Sequence, residues 1–151
     1  MDPHRIAIGS DHAGYELKEI LKARLSEKGY EVRDKGAFSE ERADYPDHAH
    51  EVARAIRNGE AELGCIICGS GNGINMSANK HQGIRSALCW CEEIARLARR
   101  HNDANILALP GRFVHAHHAE LILDAFLSTA FEGGRHENRV VKIDPRAENV
   151  G

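Results

Sequence analysis

The chain has 151 residues, 42% hydrophobic and 28% charged, with a formal net charge of −3. That size suits one domain, and a slight acidity without a concentrated basic tract argues against general nucleic-acid affinity. No apolar run approaches the ~20 residues of a membrane span, and Met1-Asp2-Pro3-His4-Arg5 lacks a signal-peptide core. Four cysteines in such a chain point to free thiols in the cytoplasm rather than disulfides.

Arg5–Gly9 reads as a short buried strand that closes at Ser10-Asp11-His12-Ala13-Gly14. Tyr15–Lys28 carries Leu17, Ile20, Leu21 and Leu25 at helical spacing and stops at Gly29. Tyr30–Arg33 is a second strand, and a second helix opens at Tyr45-Pro46-Asp47 and ends at Asn58-Gly59. Leu63–Cys68 is a third strand and Asn72–Lys80 a third helix. Ile84–Trp90 and Asn105–Leu109 complete the strands, with helices expected over Glu92–Arg100 and His115–Ala130. From Arg135 the chain reads as a polar tail with apolar residues only at Val140, Val141 and Ile143. Strands that alternate with helices and are almost continuously apolar predict a parallel sheet covered on both faces. Ligands of such sheets bind beyond the carboxyl ends of the strands. The loops Ser10–Gly14, Gly69–Gly73 and Pro110–Val114 are therefore expected to carry the chemistry.

The central feature is Cys68-Gly69-Ser70-Gly71-Asn72-Gly73, a glycine-rich turn between a buried strand and a helix. Such a turn lets backbone N–H groups approach an anionic ligand. It is not a dinucleotide fingerprint: read from Gly69 the last glycine falls on Ile74, and read from Gly71 it falls on Met76. No Gly-Lys-Ser/Thr follows, which removes a Walker A loop. Cys68 ends the strand beside this loop, where the positive end of a helix favours a reactive thiolate. Cys65 lies three residues earlier and faces the other way along the strand, which weakens a metal or redox reading of the pair. His115 and His118 share a helix face, but Ala119 and Ile122 offer no carboxylate beside them. His48 and His50 read as surface residues. His101, in Arg100-His101-Asn102-Asp103, is either a solvated residue or an acid–base group aimed at a bound sugar. Arg135 and Arg139 are four apart, either a phosphate clamp or a solvated pair near Glu132 and Glu137.

Taken together, Gly9-Ser10-Asp11-His12-Ala13-Gly14, Asp44-Tyr45-Pro46-Asp47, Ile67–Gly73, Ala78-Asn79-Lys80, Gly83-Ile84-Arg85, Arg100–Asn105 and Phe131-Glu132-Gly133-Gly134-Arg135-His136 are distinctive. From about Arg5 to Ile143 the chain resembles the type B ribose-5-phosphate isomerase family, which includes the galactose-6-phosphate isomerase subunits. The resemblance implies a Rossmann-like α/β/α sandwich with a five-stranded parallel sheet, a single domain over residues 1–151 and a segment from about residue 132 packing on or near a partner subunit. It implies an aldose–ketose isomerase of the pentose phosphate pathway acting on ribose 5-phosphate and ribulose 5-phosphate through a cis-enediolate. Another phosphorylated sugar, such as allose 6-phosphate or galactose 6-phosphate, and a non-catalytic sugar-phosphate-binding module are the alternatives. No cofactor and no metal are implied, and the assembly is a homodimer or a dimer of dimers, without nucleic-acid or membrane partners.

Carried over by position, Cys68 is the base that moves the proton between C1 and C2, and His101 is the acid that opens the sugar ring. Gly69, Ser70, Gly71, Asn72 and Gly73 cradle the enediolate oxygens, and Asn102 binds substrate. Asp11 and His12 contact sugar and phosphate, while Arg112, Arg135 and Arg139 hold the phosphate, some of them from a partner subunit. Some relatives carry a glutamate after the third loop glycine in place of the cysteine; here that position is Ile74. Ser70 stands where many relatives have threonine and keeps the hydroxyl.

Overall fold

The computed structural model describes residues 4–146. The elements run β1 (Arg5–Ser10), α1 (Tyr15–Glu27), β2 (Glu31–Asp34), α2 (Tyr45–Arg57), β3 (Leu63–Cys68) and α3 (Asn72–Ala78). They continue with β4 (Ser86–Leu88), α4 (Glu92–Asn102), β5 (Ile106–Pro110), α5 (Ala116–Leu127) and α6 (Arg135–Val141). All five strands are parallel, in the order β2-β1-β3-β5-β4.

Alternation along the strands builds two cores, because successive side chains leave a sheet on opposite faces. Ile6, Ile8, Cys65, Ile67, Leu107 and Leu109 pack against Leu21 of α1, Ala95 of α4 and Phe126 of α5. Ala7, Ile66, Cys68, Ile106 and Ala108 face Val52 of α2 and Ile74 of α3. Helices on both faces make the three-layer α/β/α sandwich expected from the pattern. The chain leaves β1 for β2 on one side and returns to β3 on the other, so the crevice between the ends of β1 and β3 is the topological switch point.

Three expectations change. Strand β4 spans only Ser86–Leu88 rather than Ile84–Trp90, since it is an edge strand paired with β5 alone. The polar tail contains α6, a helix of 7 residues, too short to carry a periodic apolar signal. On α1, Ile20 is exposed, whereas Lys18 is fully buried. Its Nζ donates to Asp34 Oδ2 at 2.7 Å and Glu19 Oε1 at 2.9 Å, which is how a buried ammonium is tolerated.

Candidate functional site

At the switch point, β3 delivers Cys68 to the sheet edge opposite Pro110 of β5. Cys68 is 5% exposed and faces the α2–α3 layer. Cys65 lies in the opposite core, where burial and the nearby Cys89 push its thiol up to about 12. The two cysteines are thus divided as the strand alternation predicts. Cys89 is likewise buried and pushed up to about 12, by burial first and then by Cys91. Neither of these thiols is suited to proton transfer near neutrality.

The loop after Cys68 turns through Gly71, whose φ of +79° is the left-handed region that glycine enters without strain. The amide of Asn72 donates to Ser70 Oγ at 3.2 Å, and that of Asn75 donates to the Gly71 carbonyl at 3.1 Å. Among the described residues, the amides of Ser70, Gly71, Gly73 and Ile74 have no intramolecular partner. Four unpartnered N–H groups in one turn offer donors to an oxyanion. Gly73 lies close under the Tyr45 ring, where a Cβ would come within 2.5 Å of the ring carbons. Tyr45 is therefore a wall of this site, a role its place at the start of α2 does not announce.

The neighbouring loops close on the cradle. The Asp11 amide donates to the Ile67 carbonyl at 3.2 Å, and Asp11 Oδ1 accepts from the Gly14 amide at 3.1 Å. His12 follows, its Nδ1 lying 3.2 Å from both the amide nitrogen and the carbonyl oxygen of Ala43. The Arg112 amide donates to the Gly69 carbonyl at 3.0 Å, and its guanidinium lies over Gly69. Arg112 is exposed and, among the described residues, has no carboxylate partner, which leaves it available for an anion.

The other expected site residues lie elsewhere. Helix α4 runs back from the carboxyl edge, so His101 and Asn102 in its last turn reach the amino edge, just before β5. There the His101 and His136 rings stack with centroids 4.3 Å apart and planes 13° apart. His101 Nε2 is 4.0 Å from Glu132 Oε2, and the Glu132 amide donates to the Arg100 carbonyl at 3.0 Å. Burial, then the nearby His101 and Arg135, hold His136 below the ordinary imidazole range. Arg135 and Arg139 are exposed on α6 beside this cluster. The residues expected for the site therefore fall into two groups, one at the loops after β1, β3 and β5 and one at the opposite edge. Strand β3 separates the two groups by roughly 17 Å, at about 3.3 Å per residue. The contacts of Glu132 and His136 with His101 are long-range, so no local pattern announces them.

A cavity of about 790 Å³ opens at this same amino edge, lined by Lys80, His81, Arg85, Asp103, Val141 and Ile143 among others, and includes none of the glycine loop. His50 and His81, expected at the surface in the first case, are partly buried, with His50 Nδ1 2.7 Å from His81 Nε2. His48 is also partly buried, its Nδ1 3.0 Å from the Lys35 carbonyl. His118 Nε2 sits 3.4 Å from Glu92 Oε1, a carboxylate supplied by α4 rather than by its own helix. No helix among the described residues is long and apolar enough to cross a membrane.

A doubly wound parallel sheet with an amide cradle and a thiol at its switch point defines an α/β enzyme that takes an anionic, oxygen-rich ligand. The chain belongs to the ribose/galactose isomerase family, whose model matches residues 6–143. It is 48% identical over 139 residues to ribose-5-phosphate isomerase B of Escherichia coli, covering 92% of this chain and 93% of that protein. The crystal structure of a ribose 5-phosphate isomerase from Thermotoga maritima superposes with a TM-score of 0.92 at 55% identity, covering 93% of this chain and 97% of that one. The Mycoplasma genitalium ribose-5-phosphate isomerase B with bound ribulose 5-phosphate gives a TM-score of 0.89 at 42% identity, covering 95% and 96%.

Proposed function

We propose that this chain is an aldose–ketose isomerase that interconverts ribose 5-phosphate and ribulose 5-phosphate, as a cytoplasmic enzyme of the pentose phosphate pathway. The unpartnered amides beside Cys68 carry this reading, together with relatives named for that reaction. In the open-chain aldose, Cys68 as thiolate removes the C2 proton and the electron pair forms the C1–C2 double bond. The C1 oxygen takes up the negative charge, giving the cis-enediolate, and then receives the C2 hydroxyl proton as the charge shifts to the C2 oxygen. Return of the proton to C1 yields the ketose. The amides of Ser70, Gly71 and Gly73 stabilise the negative oxygen only as it develops, which is where catalysis gains most. His101 donates the proton that opens the furanose ring, and Asn102 holds the sugar hydroxyls. Asp11 and His12 contact sugar and phosphate, and Arg112, Arg135 and Arg139 hold the phosphate. Nothing in this sequence of proton transfers requires a metal or organic cofactor.

The separation of Cys68 from His101 supports a working unit of two copies of the single-domain chain. A two-fold dimer makes each contact twice, so two sites form together. In each, the Cys68 loop, Asp11, His12 and Arg112 come from one copy, and His101, Asn102, Arg135 and Arg139 from the other. Exposed apolar side chains at both edges, Trp90 and Phe113 at one and Val141 and Ile143 at the other, supply surface for that contact. The segment from residue 132 would then pack near the partner.

The direct test is a coupled assay over a panel of phosphorylated sugars, because the family spans ribose and galactose substrates. Ribose 5-phosphate should be preferred and Cys68→Ala should be inactive while still binding the sugar phosphate. A fully active Cys68→Ala protein would refute the mechanism. Preference for a hexose 6-phosphate would replace the substrate, and binding without exchange of the C2 proton would indicate a non-catalytic module.

A further inference from the structure

The His101–Glu132–His136 cluster offers more than an acid for ring opening. One ligand atom from each of the three side chains lies within 4.8 Å of the others, and it is the only such group of three among the described residues. Two imidazoles and a carboxylate are a known donor set for a divalent zinc ion that keeps its fourth position open. Nitrogen and oxygen ligands at about 2.0–2.1 Å from a tetrahedral ion lie roughly 3.4 Å apart. The spacing is within reach of one ion, and binding it requires the two rings, stacked with planes 13° apart, to turn until both nitrogen lone pairs point at it. The backbone is already held for this, since the Glu132 amide is tied to Arg100 and the His136 amide donates to the Gly133 carbonyl at 3.1 Å. The Glu132 side chain is exposed and free to swing towards the two rings. Arg135 Nε donates to His136 Nε2 at 3.5 Å, a contact that must give way before that nitrogen can bind an ion.

We propose that His101, Glu132 and His136 form an inhibitory site for a borderline divalent cation, zinc above all, rather than for a resident cofactor. Zinc prevails over magnesium or calcium because imidazole donors suit it and those harder ions prefer all-oxygen sets. Occupancy takes the His101 lone pair, so that the ring can no longer carry a proton to the sugar. This last step rests on the function proposed above; the binding itself does not.

Metal-free protein is titrated with zinc chloride by calorimetry, and with cobalt(II) as a spectroscopic stand-in, in parallel with ribose 5-phosphate turnover. The expected result is one ion per chain, a tetrahedral cobalt spectrum, and loss of activity that follows occupancy and is reversed by EDTA. Glu132→Gln and His136→Gln should each weaken zinc binding by at least roughly tenfold, with circular dichroism unchanged. Cys68→Ala should retain the site, which separates it from zinc captured by the thiol. Binding unchanged in Glu132→Gln, or lost in Cys68→Ala, overturns the assignment, and zinc binding without loss of turnover overturns the inhibitory role. A protein that binds zinc through these residues yet never isomerises the sugar supports the site while refuting the proposed function.

Discussion

Cys68 and His101 stand at opposite edges of one parallel sheet, Cys68 beside Pro110 at the carboxyl end and His101 in the turn that leads into the amino end of β5. If both serve one reaction, they serve it from different copies of the chain. Cys68→Ala and His101→Gln proteins should each be inactive, yet co-expressed they should recover activity. With random pairing half of the dimers are mixed, and one of the two sites in each has both native residues, so about a quarter of normal turnover is expected. Zero recovery, in a sample shown to contain mixed dimers, would mean that the two residues do not meet across an interface.

Arg112 at one edge and Arg135 and Arg139 at the other are exposed, and in the proposed reaction they hold the phosphate, which does not react. Their loss should therefore raise KM more than it lowers kcat. A charged hydrogen bond contributes about 1.5–3 kcal/mol, so each alanine substitution should lower kcat/KM by roughly 10- to 150-fold. Steady-state kinetics on Arg135→Ala and Arg139→Ala decide the matter, since an unchanged KM would remove that residue from the phosphate site.

The sequence patterns made the sheet and the cradle legible because both are local. Alternation in Leu63–Cys68 alone separates Cys65 from Cys68, and the clustered glycines mark the turn. The placement of His101 was harder, because its edge depends on the return direction of α4 rather than on any neighbouring residue. Lys18 misled for a different reason. Helical spacing favours Ile20 as a buried position, but the Asp34 carboxylate makes the ammonium the better occupant of a site between α1 and β2. The contact of His136 with His101 joins α6 to α4, and no local pattern reports a pairing across that sequence distance.

Gly71 should not tolerate a side chain. Its φ of +79° strains any L-residue, and a Cβ there would meet Leu88 Cδ1 at 2.5 Å and the Leu109 carbonyl oxygen at 3.1 Å. Gly71→Ala should cost about 1–3 kcal/mol of stability and should also disturb the amides beside Cys68. A lowered midpoint in urea unfolding together with reduced kcat is the expected pair of results. A variant of native stability and activity would show that the loop does not need this conformation.

Asp34 couples stability to pH. Burial raises its pKa, but hydrogen bonds from Lys18, the Gly36 amide and Lys22 outweigh that effect and hold the carboxyl below its ordinary 3.8. The ionised form is thus favoured by folding, so its contribution is complete above the unfolded-state value and is lost as pH falls through the lower folded-state value. Removing the carboxylate leaves the Lys18 ammonium, fully buried, with only the half-exposed Glu19 as partner. Asp34→Asn should therefore cost roughly 3 kcal/mol near neutral pH, measured by chemical denaturation. The gap between native and variant proteins should stay constant from about pH 5 to 8 and shrink below about pH 4. A gap that does not depend on pH would assign the loss to packing rather than to the ion pair.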